Sequence, residues 1–182
     1  MVLTRGLGNY NDLLDGGVLL GQIYSSASET IRRNGYNGTD STIIPAGFGV
    51  AIDGTEDSLN RTSPALILPT STSVIRGVAF LPQKLEKTPE TIDSNGYWGY
   101  PPDYEVGYIT KGDIPVIVDE DVSNGDPVFC RHSDGLIGSF RTDADGGDAV
   151  QVGVLSTARF ISDATVDSVT GLGVAIVSLN LA

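Results

Sequence analysis

Cysteine and histidine each occur once in this chain, at Cys130 and His132. A lone cysteine closes no internal disulfide, and without a CxxC pair or a Cys/His cluster the spacing of a zinc site is missing. That economy fits a reducing compartment. No run of ~18 apolar residues occurs, so no helix is expected to span a membrane. The opening "MVLTRGLGNYNDLLDGG" lacks the apolar stretch of a secretory signal. The sequons "NGT" at Asn37 and "NRT" at Asn60 are therefore uninformative about glycosylation. Basic residues are also scarce, with 11 Lys+Arg against 23 Asp+Glu and a formal net charge of −12. A surface of that sign repels a phosphate backbone, which argues against nucleic acid as a partner.

Glycine is plentiful, at 23 of 182 residues, while only 19% are charged. That balance favours short strands and tight turns over solvated helices. The apolar segments are brief and rich in Val, Ile, Phe and Tyr. They cover 17–25, 47–52, 65–68, 73–81, 104–110, 114–119, 127–132, 136–142, 149–161 and 171–181, and several alternate with period 2. The best helical candidate, "PQKLEKTPETI", is interrupted by Pro89. The pattern predicts an all-β fold, a sandwich or barrel of jelly-roll-like or β-tulip-like kind, with well over half of the ordered residues in strands.

The start of the chain reads differently. Residues 1–36 balance Arg5, Arg32 and Arg33 against Asp12, Asp15 and Glu29, so the whole −12 falls on 37–182. "SSASETIRRNGYNGTDST" is polar and unpatterned. The expected organisation is an N-terminal arm over 1–40, either loosely packed or ordered on a partner, and a β-rich body over 41–182. A second irregular stretch, "DSNGYWGYPPDYE" (93–105), gathers Tyr97, Trp98, Tyr100 and Tyr104. It reads either as an aromatic cluster closing one end of the body or as a recognition loop.

Cys130, His132 and Asp134 invite a reading as nucleophile, base and orienting carboxylate. Asp134-Gly135 between apolar runs is, however, a hairpin signal. A two-residue turn there pairs Cys130 with Ser139 and Phe129 with Phe140, and leaves Asp134 in the turn, away from His132. No catalytic residues are assigned. "TDADGGD" (142–148) fails the EF-hand pattern, because Asp148 and Val154 stand where Gly and Glu are required. It reads as a β-turn, and no metal ligands are assigned. "GLGVAI" (171–176) lacks the third glycine of a dinucleotide fingerprint, so no cofactor is expected.

From residue 44 onward a series of elements runs in order: "IPAGFGVAID" (44–53), "LILPTSTSVIRGVAF" (66–80) and "YEVGYITKGDIPVIVDEDVSNGDPVFCR" (104–131). "SDGLIGSFRTDADGGDAVQVGVLSTARFISDA" (133–164) and "GLGVAIVSLNL" (171–181) complete it. That series carries a resemblance to the structural cement, or head-decoration, proteins of tailed bacteriophages. It implies a non-enzymatic virion protein, made in the host bacterial cytoplasm, that binds the outer surface of the head and bridges subunits of the major capsid protein. It also implies self-association, as trimers or else dimers. The expected contact residues are Ile23, Tyr24, Ile31, Arg32, Arg33 and Tyr36 on the arm, with Tyr97, Trp98, Tyr100 and Tyr104 on the aromatic loop. The competing expectation is a carbohydrate- or receptor-binding module displayed on the virion, since Trp and Tyr rings stack on sugars.

Overall fold

A computed structural model of the chain describes residues 20–23, 30–54, 63–81, 86–153 and 157–181. Among the described residues twelve strands follow one another: β1 (Ile31–Asn37), β2 (Ile44–Pro45), β3 (Gly49–Ile52), β4 (Ala65–Ile67), β5 (Ile75–Ala79) and β6 (Gly99–Tyr100). Then come β7 (Glu105–Val118), β8 (Phe129–Arg131), β9 (Phe140–Arg141), β10 (Ala149–Gln151), β11 (Ala158–Phe160) and β12 (Gly173–Asn180). The only helical turns among the described residues are single 3-10 turns at Pro89–Thr91 and Asp145–Gly147. The fold is all-β, but strand occupies 43%, below the expected half. Most strands are two to five residues long. The connections between them hold much of the chain, tied by side chains such as Asp167, whose carboxylate accepts from the amides of Val169 and Thr170.

The pairing closes a ring. β1 runs parallel to β4, β4 pairs antiparallel with β3, β3 with β5, and β5 with β7, whose first half returns antiparallel to β1. Val50, Leu66, Ala79, Val106 and Tyr108 fill this ring, and the β2–β6 pair adds Ile44 and Tyr100. The second half of β7 pairs with β12 from Val118↔Gly173 to Lys111↔Asn180. β12 pairs with β11, and a bridge from Arg159 to Pro127 leads to β8. β8 pairs with β9, which meets β7 again in parallel at Phe140↔Val118. Within this second ring, Ile114, Val116 and Val118 alternate inward against Ala175 and Val177, with Phe140 and Phe160 completing a core that every second residue supplies.

β7 therefore belongs to both rings. The sequence suggests two strands parted at Lys111-Gly112-Asp113, whereas the ladder with β12 runs straight through these residues. Gly112 carries φ +125° there, a conformation open to glycine, and turns the strand from one ring into the other. Pro115 is tolerated within β7 because it faces Ile176, whose amide donates to Ser162 Oγ and whose carbonyl accepts from Ile161. The proline thus occupies a position where β12 asks for no donor. Its own carbonyl accepts from Gly21 N at 3.0 Å. That bond ties 20–23 to the body as a turn and link; the expected strand over 17–25 is not seen in 20–23, and its other residues lie outside the described ones.

Two other expectations change. The expected strand over 149–161 is two short strands, β10 and β11, paired with different partners. Ile31–Asn37, placed on sequence in the arm, is a full strand of the first ring. Its polar outer residues hid it: Arg32, Arg33 and Asn34 are exposed, and only Gly35, Tyr36 and Asn37 are buried.

Candidate functional site

Asn37, at the end of β1, organises the ground between that strand and the aromatic loop. It is fully buried, and its side-chain amide donates to the carbonyls of Thr42 at 2.7 Å and Tyr100 at 2.8 Å. Its Oδ1 accepts from the backbone amide and the hydroxyl of Thr39. Its main chain donates to Tyr104 O and accepts from Asp103 N, both at 2.9 Å. Each polar group of this residue is therefore used, which is how a buried amide avoids its desolvation cost. An asparagine so engaged has both of its side-chain N–H groups in use within the fold. Asn60 lies outside the described residues.

The aromatic loop packs mostly inward. Tyr100 is buried, and its hydroxyl donates to Phe80 O at 2.8 Å. Burial pushes its phenol well above the ordinary range. The Tyr97 ring meets Phe48 with centroids 5.3 Å apart at 59°, a favourable tilted geometry. Trp98 is half-buried and pairs with Ile92 in an isolated bridge. Tyr104 alone of the four is exposed, at 50%. On the arm side, Ile23 and Ile31 are half-buried, Ile23 against the second-ring core, while Tyr36 is buried and Arg32 and Arg33 are exposed. Tyr24 lies outside the described residues. β1 and the loop are joined through Asn37, and Asn34 Nδ2 donates to Glu105 Oε1 at 2.8 Å.

A second polar centre lies at the far end of β7. Arg131 and Arg141 are each only 7% exposed. Arg131 Nε donates to Asp119, and its Nη2 to Asp145 Oδ2 at 2.7 Å. Arg141 donates to Asp145 at 2.7 Å, to Glu120 at 2.8 Å and to Asp143 at 3.1 Å. Four carboxylates surround two guanidinium groups, which leaves the cluster acidic while satisfying both buried cations. The Arg131 bond, with a further contribution from the Arg141 charge, holds the Asp145 carboxyl below its ordinary range. "TDADGGD" is thus a 3-10 turn whose acids lock two strands together, and Asp148 accepts from Ser133 Oγ at 2.7 Å. Beside it a cleft of about 410 Å³ is lined by Tyr97, Asp119, Arg131, Leu136 and Leu172 among others.

The Cys130 hairpin forms, but one residue out of the expected register. Cys130 pairs with Phe140, and Phe129 with Arg141. Asp134 and Gly135 do take positive φ, yet the ladder stops earlier, at Arg131, where the amide donates to Ser139 O and the carbonyl accepts from Gly138 N. A slip of one residue exchanges the faces. Cys130 and Phe140 consequently point into the core, both 0% exposed, while Arg141 reaches the acidic cluster. Burial pushes the Cys130 thiol far above its ordinary value, which suppresses the thiolate. His132 Nδ1 sits 3.0 Å from Ser133 Oγ rather than beside the sulfur's core pocket.

Sequence reasoning missed Asn37 as a structural centre and the Arg131–Arg141 cluster entirely. The signal for the second was present: two arginines in strands flanked by Phe and Cys, with "VDED" and "TDADGGD" nearby to receive them.

A family model described as structural cement protein (E217 gp24/Pam3 gp6) matches residues 9–180, so the match also takes in much of the N-terminal segment that the resemblance had left out. No curated protein matches the chain. Among solved structures, a chain from "The capsid of Myoviridae Phage XM1" shares the fold, with a TM-score of 0.62 over 90% of each chain at 20% identity. With a family model spanning nearly its whole length, the chain belongs to the structural cement protein family.

Proposed function

We propose that this protein binds the outer surface of a phage head and stabilises it by bridging neighbouring subunits of the major capsid protein. The observation that carries this reading is the cement-family match over 9–180. The geometry agrees with a binding role. Cys130 is sealed in the core, and Asp119, Glu120, Asp143 and Asp145 are committed to Arg131 and Arg141. The action is therefore non-enzymatic: a ligand of the assembled shell that does not bind free subunits stabilises the shell by mass action, and many copies that each touch two subunits gain through multivalency. The contacts are assigned to the N-terminal segment with Arg32 and Arg33 on β1 and to Tyr104 at the loop, with self-association as trimers or dimers on the shell. Tyr97 and Tyr100 are occupied internally, which weakens the alternative of sugar stacking on the aromatic loop. Co-sedimentation of purified protein with intact heads, set against free capsid subunits, tests the proposal: binding to heads is expected, and equal or exclusive binding to free subunits would refute it.

A further inference from the structure

The first ring has one end where basic and apolar side chains gather. β1 begins there with Ile31 opposite Lys111 of β7, β3 ends there with Ile52, and β5 begins there just after Val74. Since Ala51 pairs with Ile75, Ile52 and Val74 are the next pair along, and both are exposed, at 39% and 66%. Arg33 stands directly across from Tyr108, so the two side chains share the inner face of the ring. Arg33 and Arg76 both act on the Tyr108 phenol, opposing the upward push that its burial exerts. Arg33, across from Tyr108, and Arg76, next to Ile75 on β5, thus present exposed side chains from two strands at this end of the ring.

These two arginines differ from Arg131 and Arg141. They are exposed, and neither pairs with an acid among the described residues, although the chain carries 23 acidic groups. The opposite end of β3, at Gly49, abuts the acidic side of the molecule, where Gly49 N donates to Gly138 O beside Arg131 and Asp119. Among the described residues, the molecule therefore carries an acidic end and a small end where basic and apolar side chains gather beside Asp53.

We propose that the ring end formed by Arg33, Arg76, Ile52 and Val74 is a docking surface for an acidic segment of the shell subunit. Carboxylates of that segment would sit between the two guanidinium groups, with apolar side chains against Ile52 and Val74. The inference rests on the capsid-binding reading and names the surface that serves it. Charge complementarity favours this occupant. A second copy offering its acidic end is the competing occupant, in a head-to-tail contact that closes into a ring or extends as a filament according to its rotation.

The test compares wild type with Arg33→Glu/Arg76→Glu, with Arg33→Gln/Arg76→Gln as a milder pair and Arg159→Glu, at the one exposed residue of β11, as a control. Thermal melting first establishes which variants fold. Binding to intact heads is then measured by co-sedimentation at low and high salt. Wild type should bind and weaken as salt rises, as should Arg159→Glu. Charge reversal should weaken binding on the order of 100-fold at low salt and flatten the salt dependence; the glutamine pair should show a smaller loss in the same direction. Undiminished binding by folded variants overturns this proposal while leaving the capsid-binding function standing. Absence of binding by wild type overturns that function and the docking surface with it. Retained head binding with lost self-association would assign the surface to contacts between copies instead, and would equally overturn the proposal.

Discussion

The side chain of Asn37 donates to the backbone carbonyl of Tyr100 at 2.8 Å, joining the first strand of the ring to the aromatic loop that precedes β7. The same amide also serves Thr42, whose carbonyl keeps the Thr39 hydroxyl as a donor, so removing it strands the buried Tyr100 carbonyl. Asn37→Ala is expected to lower unfolding free energy by about 2 kcal/mol, since leaving a buried polar group unpaired costs roughly 1–3 kcal/mol. Urea denaturation measures it. A loss below about 0.5 kcal/mol, the range of ordinary surface substitutions, would show that the junction contributes little.

The position of β1 makes a clear statement about truncation. Deleting 1–36 removes all but one residue of a strand that closes the first ring, so the remainder should lose cooperative thermal unfolding. Deleting only 1–19 leaves β1 and the Gly21–Pro115 link in place and should preserve a cooperative melt. If the shorter chain lacking 1–36 melts as sharply as full-length protein, the ring does not depend on β1.

Asp145 gives the acidic cluster a pH signature. Its folded-state carboxyl is held below the ordinary value, so its contribution is whole at neutral pH, begins to fade as the unfolded carboxyl takes up protons, and is lost as pH falls through the depressed value. Denaturation midpoints measured between roughly pH 6 and 2 should decline more steeply for wild type than for Asp145→Asn. Parallel curves would remove Asp145 from the account. Arg131→Ala, which leaves the Asp119 carboxylate without its main partner, should cost about 3 kcal/mol or more.

Much of the architecture was legible. Period-2 alternation marked β12, whose burial alternates along its length, while short apolar runs marked β5, β7 and β8, which are buried on both faces over much of their length. β1 was not legible, since its first half faces solvent with Arg32, Arg33 and Asn34 and its buried half offers only Gly35, Tyr36 and Asn37. The continuity of β7 was hidden by Lys111-Gly112-Asp113, a turn-like triplet that the partner strand β12 overrides. The hairpin register misled for a related reason. Asp134-Gly135 does form a positive-φ turn, but tertiary demands from Phe140 in the core and Arg141 at the acids fix the pairing one residue away. The placement of Arg33 and Arg76 at one end of the ring joins residues far apart in the chain, which no local pattern displays.

Cys130 should behave as a core residue. Native protein is expected to resist thiol reagents, with labelling that rises only as denaturant unfolds the chain, and Cys130→Ser or His132→Ala should leave head binding intact. Rapid labelling of the native protein would contradict its burial.

The central claim is best tested on the shell itself. Heads saturated with the purified protein and bare heads are heated, and the release of packaged DNA is followed by dye fluorescence. The account predicts a higher release temperature for decorated heads, rising with protein concentration until sites are filled, as mass action on an assembled target requires. Identical release temperatures for decorated and bare heads, with binding independently verified, would contradict a stabilising role.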